Sequence, residues 1–275
     1  GDMHLRNICL FDGVPTLFDA IEFDEQIACV DVLYDLAFLL MDLVERDLAG
    51  FANIVFNQYL SRTAIPQYQL LDGILCMPLF LSCRAGVRAH VNAAMADSIS
   101  DPGEALVCKA RAREYLDAAA RYLRPIPPQM IAVGGLSGTG KSCLADRICE
   151  RVGKAPGAVW IRSDVVRKRL LGKDPLERLE PDAYSVDMNA EVYDAMHVIA
   201  EQVVRAGHSV VVDAVFAQES ERREVEERAR ALGADFSGFW LSAPKAELIR
   251  RVTERVSHGG DASDATAEVL ERQLS

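Results

Sequence analysis

Apolar positions follow two different rhythms along the 275 residues. In the first part they recur at three and four, as in Val32, Leu36, Leu39, Leu40 and Leu43. That period predicts helices from Ala28 onward, with further ones over Gln67–Ser98 and Gly103–Leu123. Ahead of them, Ile8 to Phe11 and Thr16 to Phe18 flank Asp12-Gly13, a turn dipeptide, which predicts a β-hairpin. After residue 129 short unbroken apolar runs take over: Met130–Val133, Ala158–Ile161, Ser209–Val212 and Phe239–Leu241. Continuous rather than alternating runs predict parallel strands covered on both faces. Helical patterns separate them. Leu144, Ile148 and Val152 mark one, Val192 to Val203 a second, and Val225 to Leu232 a third. A fourth, opened by Pro244, carries Leu248, Val252 and Val256, and a last helix is expected to be capped by Ser263 or Asp264. The stiff segment Arg124-Pro125-Ile126-Pro127-Pro128 separates the two rhythms. The expected organisation is a mainly helical unit with a hairpin over 1–124, a linker over 125–129 and an α/β unit over 130–275.

Half of the residues are hydrophobic, enough for two cores. A net charge of −11 argues against a general nucleic-acid binder, which needs a basic surface to displace counterions. Seven scattered cysteines without zinc spacing predict small buried hydrophobes in a reducing cytosol. The most apolar window, Leu70–Cys83, is broken by Asp72 and Pro78 and is expected to be too short for a bilayer. A cytoplasmic protein is the expectation.

The chemistry concentrates at Gly135-Leu136-Ser137-Gly138-Thr139-Gly140-Lys141-Ser142, between the first parallel strand and its helix. The spelling G-x-x-x-x-G-K-S lets the backbone curl so that amide groups form an anion nest at a helix N-terminus. Lys141 supplies a point charge to outer phosphates and the Ser142 hydroxyl can hold Mg²⁺. ATP and Mg²⁺ are therefore the expected cofactors. Asp164 follows the second strand, where it can act as a base toward a substrate hydroxyl or cap the next helix. Asp213 ends the third strand, as a second metal-side acid, a partner of Ser142, or a hold on a substrate hydroxyl. Arg167 and Lys168 are candidate clamps for an anionic substrate in the densest basic stretch. Arg251 and Arg255 share a helix face ahead of Gly259-Gly260, as arginines on a glycine-jointed cover would.

Together these features resemble small-molecule and polynucleotide kinases of the P-loop type, such as gluconate kinase and chloramphenicol phosphotransferase. The resemblance covers residues 129–275. It implies a five-stranded parallel sheet of order 2-3-1-4-5, of which four strands are countable here. It also implies Asp164 as general base, Arg255 with Arg251 as lid arginines, and Lys141 and Ser142 as holders of ATP·Mg²⁺. The partner would be a small molecule with a hydroxyl acceptor, with no membrane involved. A nucleotide-binding regulatory module and a polynucleotide 5′-hydroxyl kinase are the alternatives.

The N-terminal hairpin carries Asp2, Asn7 and Asp19 at its edges. This stretch resembles the catalytic segment of aminoglycoside phosphotransferases, and the resemblance implies Asp2 as base with Asn7 and Asp19 as metal ligands. Enzymes of that kind place an N-terminal lobe ahead of such a loop, which would precede Gly1. The order of the two halves is also similar to bacterial proteins joining an aminoglycoside phosphotransferase to an ATP-binding domain. Asp31 and Asp35 are expected to serve the first helix's start, and His4 to have no particular partner.

Overall fold

Residues 2–19, 21, 23–24, 28–63, 67–258 and 262–274 are described in the computed structural model of the chain. Two compact units emerge: Gly1–Ile126 with Lys154–Gly157, and Pro127–Gly153 with Ala158–Ser275.

In the first unit, β1 (Ile8–Phe11) and β2 (Val14–Leu17) pair antiparallel, with Phe11 opposite Val14. Asp12 and Gly13 both adopt positive φ, 49° and 78°, the backbone that a tight two-residue hairpin turn requires. Asp31 then caps α1 (Val32–Val44), accepting from Leu33 N at 2.8 Å. Helix α1 is buried on almost every side from Leu36 to Leu43 and forms the unit's centre. Helices α2 (Ala49–Arg62), α3 (Gln67–Gly73), α4 (Met77–Ser98) and α5 (Pro102–Tyr122) complete it, with α4 packed on both α1 and α5.

The apolar stretch in this unit is longer than its sequence window suggested. Gln69–Ser98 is a helical run of 30 residues, long and apolar enough to cross a membrane by length and composition. Proline at its α4 start fits a first helical turn, so Pro78 does not interrupt it. Arg84 and Arg88 on this run are buried. Arg84 lies 3.8 Å from the Tyr34 ring centroid and donates to Tyr34 O at 3.0 Å, and Arg88 stacks over Tyr115.

The second unit is a four-stranded parallel sheet among the described residues. Its strands are β3 (Gln129–Gly135), β4 (Val159–Arg162), β5 (Val210–Asp213) and β6 (Asp235–Leu241). Their order is β4-β5-β3-β6, which is 2-3-1-4 within the unit, as the resemblance to P-loop kinases implied. Helix α6 (Lys141–Cys149) covers one face, where Ile131, Val133 and Val211 meet Ala145 and Cys149. Side-chain alternation sends Met130, Ala132 and Val212 to the other face, under α8 (Val186–Arg205) and α9 (Glu219–Ala231). Helix α7 (Ser163–Leu170) follows β4 directly. Helices α10 (Lys245–His258) and α11 (Ala267–Leu274) close the unit. Both strand faces are covered at β3 and β5, which explains their unbroken apolar spelling.

Two expectations are corrected. Only Cys149 is buried; Cys9, Cys29, Cys76, Cys83 and Cys143 are exposed, so as a set the cysteines are not core residues. The last helix is capped by Thr266, whose hydroxyl faces Val269 N at 3.4 Å. Asp264 is engaged elsewhere, as its neighbours at the site show.

Candidate active site

The carboxyl ends of β3, β4 and β5 lie side by side, so the loops leaving them share one end of the sheet. In register, Asp213 of β5 stands opposite Val133 on one side and Arg162 on the other. From β3 the chain enters the glycine loop and then α6, whose first turn begins at Lys141. The first intrahelical bond there is Leu144 N to Gly140 O, which leaves the preceding amides without a helical acceptor. Glycine is required within the loop. Gly135 has φ 144°, and a Cβ on it would stand 2.7 Å from Leu241 O. Gly138 has φ 84°, and a Cβ there would meet Leu248 O at 2.8 Å. Thr139 turns back on the loop, donating through N and Oγ1 to Leu136 O at 3.2 and 2.8 Å.

Asp213 is the electrostatic centre of this end. It is 2 % exposed, and no donor meets either carboxylate oxygen in hydrogen-bonding geometry. Arg162 Nε stands 4.0 Å away. Burial pushes the carboxyl pKa up; Lys141, the nearby Ser142 hydroxyl and Arg162 oppose that, while Asp164 adds to it. Three groups on which the sequence reading depended, Lys141, Ser142 and Asp164, are therefore each within electrostatic reach of Asp213. A buried carboxylate with no donor on it, beside a hydroxyl, offers oxygen ligands of the kind Mg²⁺ takes when phosphates and water supply the rest. Ser142 and Asp213 fit that ion.

Asp164 is half-buried in the first turn of α7, whose N-cap position is held by Arg162 without a side-chain cap bond. Its carboxylate is thus not the helix cap. Arg167 is buried behind it. It donates to Ala183 O at 2.9 Å and Asn189 Oδ1 at 2.8 Å and stacks on Tyr184. Burial lowers the guanidinium pKa, and Asp164 is the first of the groups raising it again.

Lys168 corrects the substrate-clamp expectation. It is 1 % exposed, and its ammonium closes on Asp264 Oδ1 at 3.2 Å and Pro175 O at 3.1 Å. Asp264 also accepts from Leu179 N and from the Tyr184 hydroxyl. A lysine held this way is an internal tie, because its charge is already matched.

The two arginines expected on a cover take different partners. Arg251 Nη1 reaches Gly138 O in the glycine loop at 3.4 Å while its Nε holds Glu247 at 2.6 Å. Arg255 Nη2 instead donates to Ala265 O at 3.2 Å. Arg250 first, and Arg251 with it, hold the Glu247 carboxyl down to about 2. The joint residues Gly259 and Gly260 lie outside the described residues. The sequence reading missed Gln273, whose Oε1 accepts from Ser137 N at 3.0 Å across 136 positions of chain. A separate cleft of about 290 Å³ opens beside Gly134, lined by Phe216, Arg222, Phe239 and Trp240 among others. None of Lys141, Ser142, Asp164 and Asp213 lines it.

In the first unit, Asn7 Nδ2 donates to Asp2 Oδ2 at 3.1 Å and to Asp19 O at 3.4 Å, so these three residues gather at one place. The Asp19 contact is through its main chain. His4 is more than a bystander. It is buried, its Nδ1 accepts from Arg6 N, and its Nε2 lies 3.5 Å from Asp2 Oδ2. Asp35 accepts from Met3 N at 3.1 Å with Arg84 3.7 Å away, and the fully buried Asp42 accepts from Leu5 N. Asp35 and Asp42 thus brace the Asp2–Asn7 segment from α1, a role beyond helix capping.

Residues 130–275, more than half of the chain, match the AAA domain family. The chain belongs to that family. Across 98 % of its length it is 30 % identical to an uncharacterized protein of Mycobacterium tuberculosis, Rv2004c, and to one of Mycobacterium bovis, Mb2027c. The chain spans about half the length of these curated relatives, 51 %. Solved structures similar to the AAA domain chain include the Mycobacterium tuberculosis APS kinase CysC in complex with AMPPNP and APS. That match has 23 % identity, a TM-score of 0.39, and covers 52 % of this chain and 78 % of that one. A gluconokinase from Sinorhizobium meliloti matches with 22 % identity and a TM-score of 0.33, over 55 % of this chain and 75 % of that one. The Pnkp1/Rnl/Hen1 RNA repair complex matches at 16 % identity with a TM-score of 0.42, over 56 % of this chain and 45 % of that chain.

Proposed function

We propose that the second unit is an ATP-dependent phosphotransferase that moves the γ-phosphoryl group to a hydroxyl of a small molecule. The observation that supports it is the buried Asp213 carboxylate, on which no well-formed hydrogen bond closes although Lys141, the Ser142 hydroxyl and Asp164 lie within reach. Such an arrangement is costly without a cation to complete it, and sites of this kind are where function is found. Mg²⁺, when bound by Ser142 and Asp213, supplies neutralisation of phosphate charge. The glycine loop's amides and Lys141 hold the phosphate chain, and Arg251, already at the loop, adds a second positive charge to its outer side. Asp164 takes the proton from the acceptor hydroxyl as that oxygen approaches phosphorus. Little covalent work falls to the protein, since phosphoryl transfer passes through a loose transition state. Arg167, with its guanidinium fixed by Asn189 and Tyr184, is the better candidate to face an anionic part of the acceptor.

We read the Asp2–Asn7–Asp19 cluster of the first unit as a catalytic-segment fold like that of aminoglycoside phosphotransferases, braced by Asp35 and Asp42. The assignment of the second unit is tested with Asp164→Asn. Its expected effect is loss of phosphotransfer by about two to four orders of magnitude, with Mg·ATP binding retained. Transfer at the wild-type rate would end the assignment and favour a nucleotide-binding regulatory module. Binding of oligonucleotides that weakens steeply with salt would favour a polynucleotide kinase instead.

A further inference from the structure

We propose that Gln273 is a positioning residue for the glycine loop, holding it from the C-terminal helix in the shape that accepts a nucleotide's phosphates. The inference rests on the nucleotide-binding reading above. Three consecutive loop residues meet the α10–α11 pair, each by a different kind of contact. Leu136 packs against the buried cluster of Leu248, Val252 and Leu270. Ser137 N donates to Gln273 Oε1 at 3.0 Å. Gly138 approaches Leu248 so closely that its own missing Cβ would collide with that residue's carbonyl.

Leu270 and Gln273 are three residues apart on α11 and so lie on one helix face. One supplies the apolar anchor and the other the directional one. Ser137 is 3 % exposed, so water does not readily replace the carboxamide as acceptor for its amide. Because Thr139 hangs on Leu136 O by two hydrogen bonds, the position of residues 136 and 137 is passed on to the turn that precedes Lys141.

Without the acceptor, a buried amide is left unpaired unless the loop rotates toward water. The loop then spends only part of its time in the phosphate-accepting shape, and apparent affinity falls by that fraction. Gln273 touches neither phosphate nor acceptor in this scheme.

The test is an equilibrium titration of the 275-residue chain with a fluorescent ATP analogue and Mg²⁺, for wild type, Gln273→Leu, Gln273→Asn and Gln273→Glu. Leucine keeps the bulk but no acceptor, and asparagine is one methylene too short to reach. Both are expected to raise Kd about tenfold, or ~1.4 kcal/mol. Their melting temperatures without nucleotide should stay close to wild type, and turnover at saturating nucleotide should be unchanged. Glutamate keeps an acceptor but adds charge near the phosphates. Its deficit relative to wild type is expected to shrink as salt is raised, which the leucine deficit does not. Wild-type affinity in both leucine and asparagine variants overturns the proposal, and tighter binding overturns it too by making the contact a block. A wild-type chain that binds no nucleotide removes the underlying reading as well, so the two failures are distinguishable.

Discussion

Replacing Asp213 by Asn removes a buried charge that has no hydrogen-bond donor on it while keeping the side chain's size. Burial is the largest influence on this carboxyl and raises its pKa above the ordinary 3.8, against the pull of Lys141 first and then of Ser142 and Arg162. The nucleotide-free protein therefore carries a penalty for holding the carboxylate. An unsatisfied buried polar group costs about 1–3 kcal/mol, and a charged one no less. In a unit of this size that corresponds to a rise of about 2–12 °C in melting temperature for Asp213→Asn near neutral pH. The pH dependence has a definite sign. Between the ordinary carboxyl value and the raised one, folded Asp213 keeps a proton that the unfolded chain has released. Wild-type stability consequently falls as pH climbs through that window, whereas the carboxamide of the variant does not titrate. The gap between variant and wild type should be smallest in acid, widen with rising pH, and level off once Asp213 is ionised in the folded protein. Circular-dichroism melts from about pH 4 to about pH 8 measure it, a range that starts at the ordinary carboxyl value. The same substitution should weaken Mg²⁺-dependent nucleotide binding at least about tenfold, because an amide is a poorer partner for the ion. A variant less stable than wild type, or a gap independent of pH, would refute the claim that desolvation dominates at this residue.

Asp264→Ala should cost about 3–5 kcal/mol in urea unfolding, since it strands the buried Lys168 ammonium. Adding Lys168→Met should recover much of that loss, and no recovery would mean the tie is not electrostatic. Gly138→Ala combines a positive-φ strain of about 1–2 kcal/mol with a Cβ 2.8 Å from Leu248 O. It should lower the melting temperature and raise the Kd for Mg·ATP at least about tenfold, and a variant that binds normally would show that the loop yields without cost. Breaking the exposed pairs Arg223–Glu219 and Arg230–Glu226 on α9 with about 1 M salt should change stability by no more than about 1 kcal/mol in the same unfolding assay.

Much of the second unit was legible because its signals are local. Unbroken apolar runs mean strands covered on both faces, and Gly207 and Gly233 follow the ends of α8 and α9 with positive φ, 75° and 69°, whereas α6 stops at Cys149, short of Gly153. The glycine loop has a spelling that backbone geometry nearly dictates, down to Gly135 and Gly138, where a Cβ has no room. Asp164 and Asp213 could be placed from their positions at strand ends, because a parallel sheet brings those ends together.

What the chain order could not convey is which charges find each other across long separations. Lys168 and Arg167 are adjacent in sequence and both basic. Only packing decides that one is spent on Asp264, 96 residues away, while the other is braced by Asn189 and Tyr184. Arg251 and Arg255 lie four apart on one helix, yet the first reaches Gly138 O in the loop and the second donates to Ala265 O. Gln273 has no motif at all, and its meeting with Ser137 exists because Leu136 and Leu270 share a small core. Secondary structure and the phosphate loop follow from local propensity, periodicity and motif, which the sequence carries by itself, while strand order was implied only by the resemblance to P-loop kinases. The assignment of each long side chain to a role was decided by the tertiary structure. Burial makes an unmatched charge costly, and the nearest match is set in space.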